Sequence, residues 1–96
     1  PDARLHIGLI HLAVRNAAGA TAQADTILRG SRTHLYGLLL KVRAAELSGD
    51  AAGARRALRA FAAAYQAERA NSLPEYEVHN QLLLDTKAQA ERDLVR

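Results

Sequence analysis

The sequence predicts an all-α domain, and three observations lead there. About a fifth of the 96 residues are Ala, Leu comes next, and Ala, Leu, Arg, Glu and Gln together favour helix. Gly and Pro are scarce, as are the β-branched and aromatic residues that favour strands. The third observation is the stretch 35–64, LYGLLLKVRAAELSGDAAGARRALRAFAAA, where two apolar segments of helical period flank a tight turn at Ser48-Gly49-Asp50. This helical hairpin organises the chain, and the segments on either side are expected to cover its two faces. A chain of this length makes one domain that buries about two thirds of its unfolded surface.

The first helix is expected from Asp2, as N-cap, to Ala17. Leu5, Leu9 and Leu12 make one apolar stripe, and Ile7, Ile10 and Val14 make another, so the apolar arc is wider than one partner requires. Gly8, mid-helix, implies a close approach to a neighbouring helix, since Gly there costs up to about 1 kcal/mol against Ala. Asn16 to Gly19 is expected to end the helix, with Gly19 in the left-handed position. A second helix then runs from Thr21 to Arg29, with Ala24, Ile27 and Leu28 inward. The third, capped by Ser31 or Thr33, continues to Leu47. Leu35, Leu38, Leu39 and Val42 form its core stripe, and Tyr36, Leu40 and Arg43 line an adjoining face. Gly49 stops it, and Asp50 caps a fourth helix from Ala51 to Asn71 with Ala54, Leu58, Phe61 and Tyr65 inward. Ser72-Leu73-Pro74-Glu75 reads as a capping box opening a fifth helix from Leu73 to Val95. Its inward residues are Tyr76, Leu83, Ala90 and Leu94, with Val78 and Leu82 beside them.

A shift of 30 residues places Leu5 on Leu35, Leu9 on Leu39, Gly19 on Gly49, Ala24 on Ala54 and Leu28 on Leu58. The chain therefore reads as two successive hairpins, 1–30 and 31–71, followed by a terminal helix, 72–96. The second hairpin resembles a tetratricopeptide repeat, in which a Gly-containing turn is followed by a small residue and then a bulky one. Gly49, Ala54 and Leu58 occupy those places, and Gly19, Ala24 and Leu28 match in the first hairpin. The period is 30 rather than the family's usual 34, the aromatic and Leu-Gly signals of the family's first helix are missing, and no Pro closes the second helix. The long fourth helix and the charged terminal helix resemble the C-terminal end of some bacterial tetratricopeptide proteins. The resemblance implies a right-handed stack of two hairpins with a capping helix, five helices in all.

The resemblance also implies a concave surface lined by the first helix of each hairpin. That surface would carry His6, Ile10 and Ala13, then Tyr36, Leu40 and Arg43, and would bind a protein or peptide. The alternative for Tyr36 and Leu40 is packing beneath the first or fifth helix. The family's carboxylate clamp needs several Lys, Arg and Asn, of which only Arg43 and Asn16 are in place, so that ligand is not expected. The surplus apolar surface of the first helix, Leu5, Ile7, Leu9 and Val14, is expected to pair with a second copy or with an upstream repeat.

No pattern points to catalysis. His6, His11, His34 and His79 include no i,i+3 or i,i+4 pair, so no helical metal site is spelled out. There is no nucleophile motif and no Gly-rich phosphate loop. Glu75 and Glu77 suit the positive end of a helix dipole. Arg55, Arg56 and Arg59, with Arg29 and Arg69 nearby, read as a solvated helix face rather than a phosphate patch. The net charge of +3 is too small to indicate nucleic acid.

No Cys is present, no apolar run is long enough to span a membrane, and there is no signal-peptide pattern. A chain that begins at Pro1 and lacks Met is expected to be an excised domain or processed product. The Ala/Arg-rich, Lys-poor usage fits a GC-rich bacterial genome, and a soluble, cytoplasmic rather than periplasmic, protein is expected. The function expected is a non-enzymatic interaction module with no cofactor. Its rivals are a helical effector or dimerisation domain of a bacterial transcription regulator, and a bundle enclosing a small ligand or metal.

Overall fold

The computed structural model describes residues 2–71 and 73–94. The caps expected of Asp2 and Ser72, and the end of the last helix at Val95, lie outside the described residues and side chains. Six helices follow one another: α1 (Asp2–Ala13), α2 (Ala17–Gly30), α3 (Leu35–Leu47), α4 (Ala51–Ala70), α5 (Pro74–Val78) and α6 (Asn80–Asp93). The domain is all-α, as its composition requires. α2 packs on α1 and α3, α4 packs on α3 and α6, and α3 also touches α1 and α6. Two layers result, with α1, α3 and α6 in one and α2 and α4 in the other.

α3 is the centre because it is apolar all round. Leu35, Tyr36, Gly37, Leu38, Leu39, Leu40, Val42 and Ala44 are all buried, on every side of the helix. A helix of that kind is stable only with neighbours on each face. Leu5 from α1, Ala24 and Ile27 from α2, Phe61 from α4, Tyr76 from α5 and Leu83 from α6 supply them. Gly8 does mark a close approach, since a Cβ there would lie 2.6 Å from Leu40 Cδ1. Gly37 marks a second one, where a Cβ would lie 2.7 Å from Leu28 Cδ2.

The first turn differs from expectation. α1 ends at Ala13, and Arg15 takes the left-handed position with φ 62°. Asn16 then caps α2, its side-chain oxygen accepting the Gly19 N–H at 3.0 Å. Gly19 thus lies inside the first turn of α2 and not in the loop. The second turn has the same construction: Gly49 at φ 75° is followed by Asp50, whose Oδ1 accepts the Gly53 N–H at 2.9 Å. Arg15 to Gly49, Asn16 to Asp50 and Gly19 to Gly53 are each 34 residues apart, so the structural period is 34 and the 30-residue register is overturned. In the new register Leu5 falls on Leu39, Ala24 on Leu58 and Ile27 on Phe61, and all six are buried.

A side chain in the left-handed region costs about 1–2 kcal/mol. Arg15→Gly is therefore expected to raise the urea midpoint and Gly49→Ala to lower it, each by an amount equivalent to about 1 kcal/mol. Unchanged midpoints in both variants would remove the strain assigned to this position.

Two further boundaries shift. α3 begins at Leu35, capped by His34, because the Thr33 hydroxyl is already committed to Glu68 Oε2 at 2.7 Å. The expected single helix from Leu73 to Val95 breaks at His79 (φ −120°, ψ 38°), so the described residues form six helices and not five. The His79 ring lies edge-on to Tyr36 with centroids 5.7 Å apart, and its carbonyl accepts from both Leu82 and Leu83 N–H. The break lets α5 follow the side chains that hold it while α6 lies along α4 and α3. Val78, expected inward beside Tyr76, is 64 % exposed, because residues two apart on α5 point to nearly opposite sides.

Candidate binding surface

The densest group of ionisable side chains lies where α5 meets α3 and α4. His34 Nδ1 accepts the Tyr36 N–H at 3.2 Å, which places the imidazole proton on Nε2, 2.7 Å from Glu75 Oε2. Tyr36 Oη donates to the Glu75 carbonyl. Tyr76 Oη donates to Glu68 Oε1 at 2.6 Å and accepts the Leu35 N–H at 3.1 Å. The His34, Tyr36 and Tyr76 rings pack on one another with centroids 5.0–5.4 Å apart. Burial pushes the Tyr76 phenol well above its ordinary pKa, and the Glu68 carboxylate pushes it the same way, so the neutral phenol is held.

Each of these polar atoms serves a helix end. His34 caps α3, Tyr76 takes the next orphan N–H of that helix, and Tyr36 binds the first turn of α5. His34, Tyr76 and Tyr36 are almost inaccessible, and none of the surface cavities described below touches the group. The group is an anchor for α5. Among the described residues no cluster of three or more His, Cys, Asp or Glu could hold a metal.

The sequence puts a binding face along α1 and α3. His6, Ile10 and Ala13 are exposed along α1. Tyr36 and Leu40, expected beside them, have no accessible surface at all. Tyr36 belongs to the α5 anchor, and Leu40 fills the space over Gly8; the packing alternative is the correct one for both. Arg43 is one-third exposed, and its guanidinium bridges α3 to α6: Nη1 donates to Glu46 Oε1 at 2.9 Å and Gln89 Oε1 at 2.6 Å, and Nη2 to Thr86 Oγ1 at 3.2 Å. Gln89 Nε2 closes the ring on Glu46 Oε2 at 2.8 Å.

Beside Arg43 runs an open groove of about 410 Å³ lined by Leu12, Arg15, Arg43, Glu46 and Leu47. Of these, sequence reasoning places only Arg43 on a binding face. Arg15 is the least visible, because its place in the groove depends on the left-handed turn position, which the sequence assigns to Gly19. Of the residues assigned to a second, self-pairing surface, Leu5 is fully buried and Leu9 half-buried. Ile7 and Val14 are exposed. On the opposite layer the Arg cluster divides. Arg55 donates to the Asp93 carbonyl at 3.1 Å, Arg56 lines a 430 Å³ cavity with Lys41 and Asp50, and Arg59 faces solvent.

Among the described residues no helix is long and apolar enough to cross a membrane. Comparison with family models, with curated proteins and with solved structures gives no match to this chain.

Proposed function

We propose that this chain is a non-enzymatic, tetratricopeptide-like interaction module. It binds a peptide or protein segment on the face of the α1–α3–α6 layer, in the groove between the end of α1 and α3. The observation that carries the reading is that groove: Arg15, with its guanidinium in no ion pair among the described residues, and Arg43, paired with Glu46, line it beside the apolar Leu12 and Leu47. A surface of this make-up suits an extended segment with an acidic residue between apolar ones. Two further features support it. The turns recur at the 34-residue spacing that is usual in the family, and the buried His34 and Glu68 are taken up in hydrogen bonds that hold α5 to α3 and α4.

The proposal is tested by selecting binders to the wild-type chain from a displayed random-peptide library, then measuring the enriched peptides against Arg15→Glu and His6→Glu. Both side chains are exposed, and neither variant should disturb the helices. Enrichment of acidic peptides whose affinity falls at least about 10-fold on Arg15→Glu is expected, equivalent to about 1.4 kcal/mol. Peptides that bind both variants as tightly as wild type would place the site elsewhere.

A further inference from the structure

The 34-residue register holds bond for bond through the two turns. The Val14, Arg15 and Asn16 N–H groups donate to the Ile10, Leu12 and His11 carbonyls at 3.1, 3.0 and 2.7 Å. The Ser48, Gly49 and Asp50 N–H groups donate to the Ala44, Glu46 and Ala45 carbonyls at 3.0, 3.1 and 2.9 Å. α1 and α3 therefore correspond residue by residue, and what packs on α3 shows what α1 is shaped to receive. One face of α3 is taken by α2. Thr21 and Leu28 of α2 stand across a hollow of about 430 Å³ from Leu38, Lys41, Ala44, Ala45 and Ser48 of α3, and Lys41 pairs with Asp25 at 2.8 Å.

The counterparts of those five α3 residues are Arg4, Ile7, Ile10, His11 and Val14. Arg4 and His11 are engaged inside the fold, with Gln23 Oε1 at 3.4 Å and Asn16 Nδ2 at 3.2 Å. Ile7, Ile10 and Val14 remain as a stripe at helical spacing, 42, 52 and 68 % exposed, whereas Ala44, the counterpart of Ile10, is 2 % exposed beside α2. Where α3 has Lys41, Ala44 and Ser48, α1 thus has Ile, Ile and Val. A face that is more apolar where it is bare than where it is covered is built for a cover. A second copy does not offer the matching helix. The inward residues of its α2 (Ala20, Ala24, Ile27) and of its α4 (Leu58, Phe61) are buried in their own fold.

We propose that this face of α1 is the seat of a further helix of the same polypeptide, lying on α1 as α2 lies on α3 and running into α1 through a link like Ser31–His34. The α2–α3 contact is thereby continued one step along the layer that holds α2 and α4. The residues of α1 specify the chemistry of that helix. Where α2 sets Asp25 against Lys41, the further helix sets an apolar residue against Ile7. Ala3 replaces Gly37, where an added Cβ would lie 2.7 Å from Leu28 Cδ2, so the further helix carries a residue smaller than Leu at that place. The seat rests on the register and not on the peptide groove, whose lining includes none of Ile7, Ile10 and Val14.

The chain has no Cys, so Ile10→Cys gives a single thiol whose rate of alkylation by a maleimide reads the cover on the stripe. Residues 17–34, carrying Asp25→Leu and Leu28→Ala, are placed directly ahead of Pro1 of the full chain. Residue 35 corresponds to residue 1, so this extension reproduces the α2–α3 spacing. Alkylation should slow at least about 10-fold against the unextended chain, as for a face reached only on local opening. Arg59→Cys, exposed on α4, should react alike with and without the extension. An extension with Asp25→Lys in place of Asp25→Leu should leave Ile10→Cys at the unextended rate, because it sets a charge against Ile7. A further extension keeps Leu28 beside Asp25→Leu, in case the Ala substitution removes too much contact. The proposal falls if neither apolar extension slows the reaction, or if Asp25→Lys slows it as much as Asp25→Leu. It falls as well if the unextended chain protects its own thiol as its concentration rises to about 1 mM, which would make a second copy the occupant.

Discussion

Tyr76→Ala is expected to remove about 3–5 kcal/mol of stability, the range for deleting a buried ring. A domain of this size has about 5–15 kcal/mol in total, so the variant sits at the edge of folding. The ring is 1 % exposed and packs on His34 and Tyr36, and its hydroxyl joins Leu35 N–H to Glu68. Tyr76→Phe keeps the ring and loses only the hydroxyl, which should cost about 1–3 kcal/mol because buried partners are left unsatisfied. The pH dependence separates the two roles. Folding raises the Tyr76 pKa above its ordinary value of 10.0, so the folded state favours the neutral phenol. The resulting stabilisation is present in full below that value and is lost as pH climbs from about 10 toward the folded pKa. Urea midpoints of wild type should therefore fall with pH above 10, and those of Tyr76→Phe should fall less steeply. Equal slopes would mean that the phenol ionises as easily in the folded chain as in the unfolded one.

The second large effect is expected at the crossing of α1 and α3. Leu40→Ala empties a fully buried site and should cost about 2–5 kcal/mol. Gly8→Ala gains helix propensity but forces its methyl to within 2.6 Å of Leu40 Cδ1, so Leu40 must move and the net change should be destabilising by about 1–3 kcal/mol. In the double variant the new methyl enters the space that Leu40 vacates. Its cost should fall short of the sum of the two singles by about 0.5–3 kcal/mol, measured as a double-mutant cycle in urea. Additive costs would show that the two helices are not in contact at this point.

Much of the architecture was legible because it is written in local chemistry. The core stripe of α3, the Gly49-Asp50 turn, Leu58 and Phe61 inside α4, and the close approach at Gly8 all follow from residue type and spacing. The first turn was not, because two signals competed. A Gly is the usual left-handed residue, yet Asn16 is the better cap, and once it bonds Gly19 N–H the left-handed residue has to precede it. The break at His79 was hidden for another reason. The stretch 73–95 has helical composition throughout, and only tertiary contacts of His79 and Tyr36 decide that it bends. Those contacts also explain the displaced binding residues. A Tyr and a Leu on a helix face look alike whether that face meets a partner or meets α5 of the same chain. Arg15 entered the groove only through the turn that was misplaced.

The α5 anchor has a kinetic consequence. Contacts of α1 with α2, of α2 with α3 and of α3 with α4 are between neighbours in sequence and form with little loop-closure entropy. The His34–Glu75 and Leu35–Tyr76 bonds span 41 residues each, and Arg43–Gln89 spans 46, so they close last. Interactions made after the folding barrier leave the folding rate nearly untouched and set the unfolding rate instead. The loss in Tyr76→Phe should thus appear almost wholly in the unfolding arm of its chevron. The buried knot of two tyrosines and a histidine then governs how long the folded chain lasts, while α3 and its neighbours govern how quickly it forms.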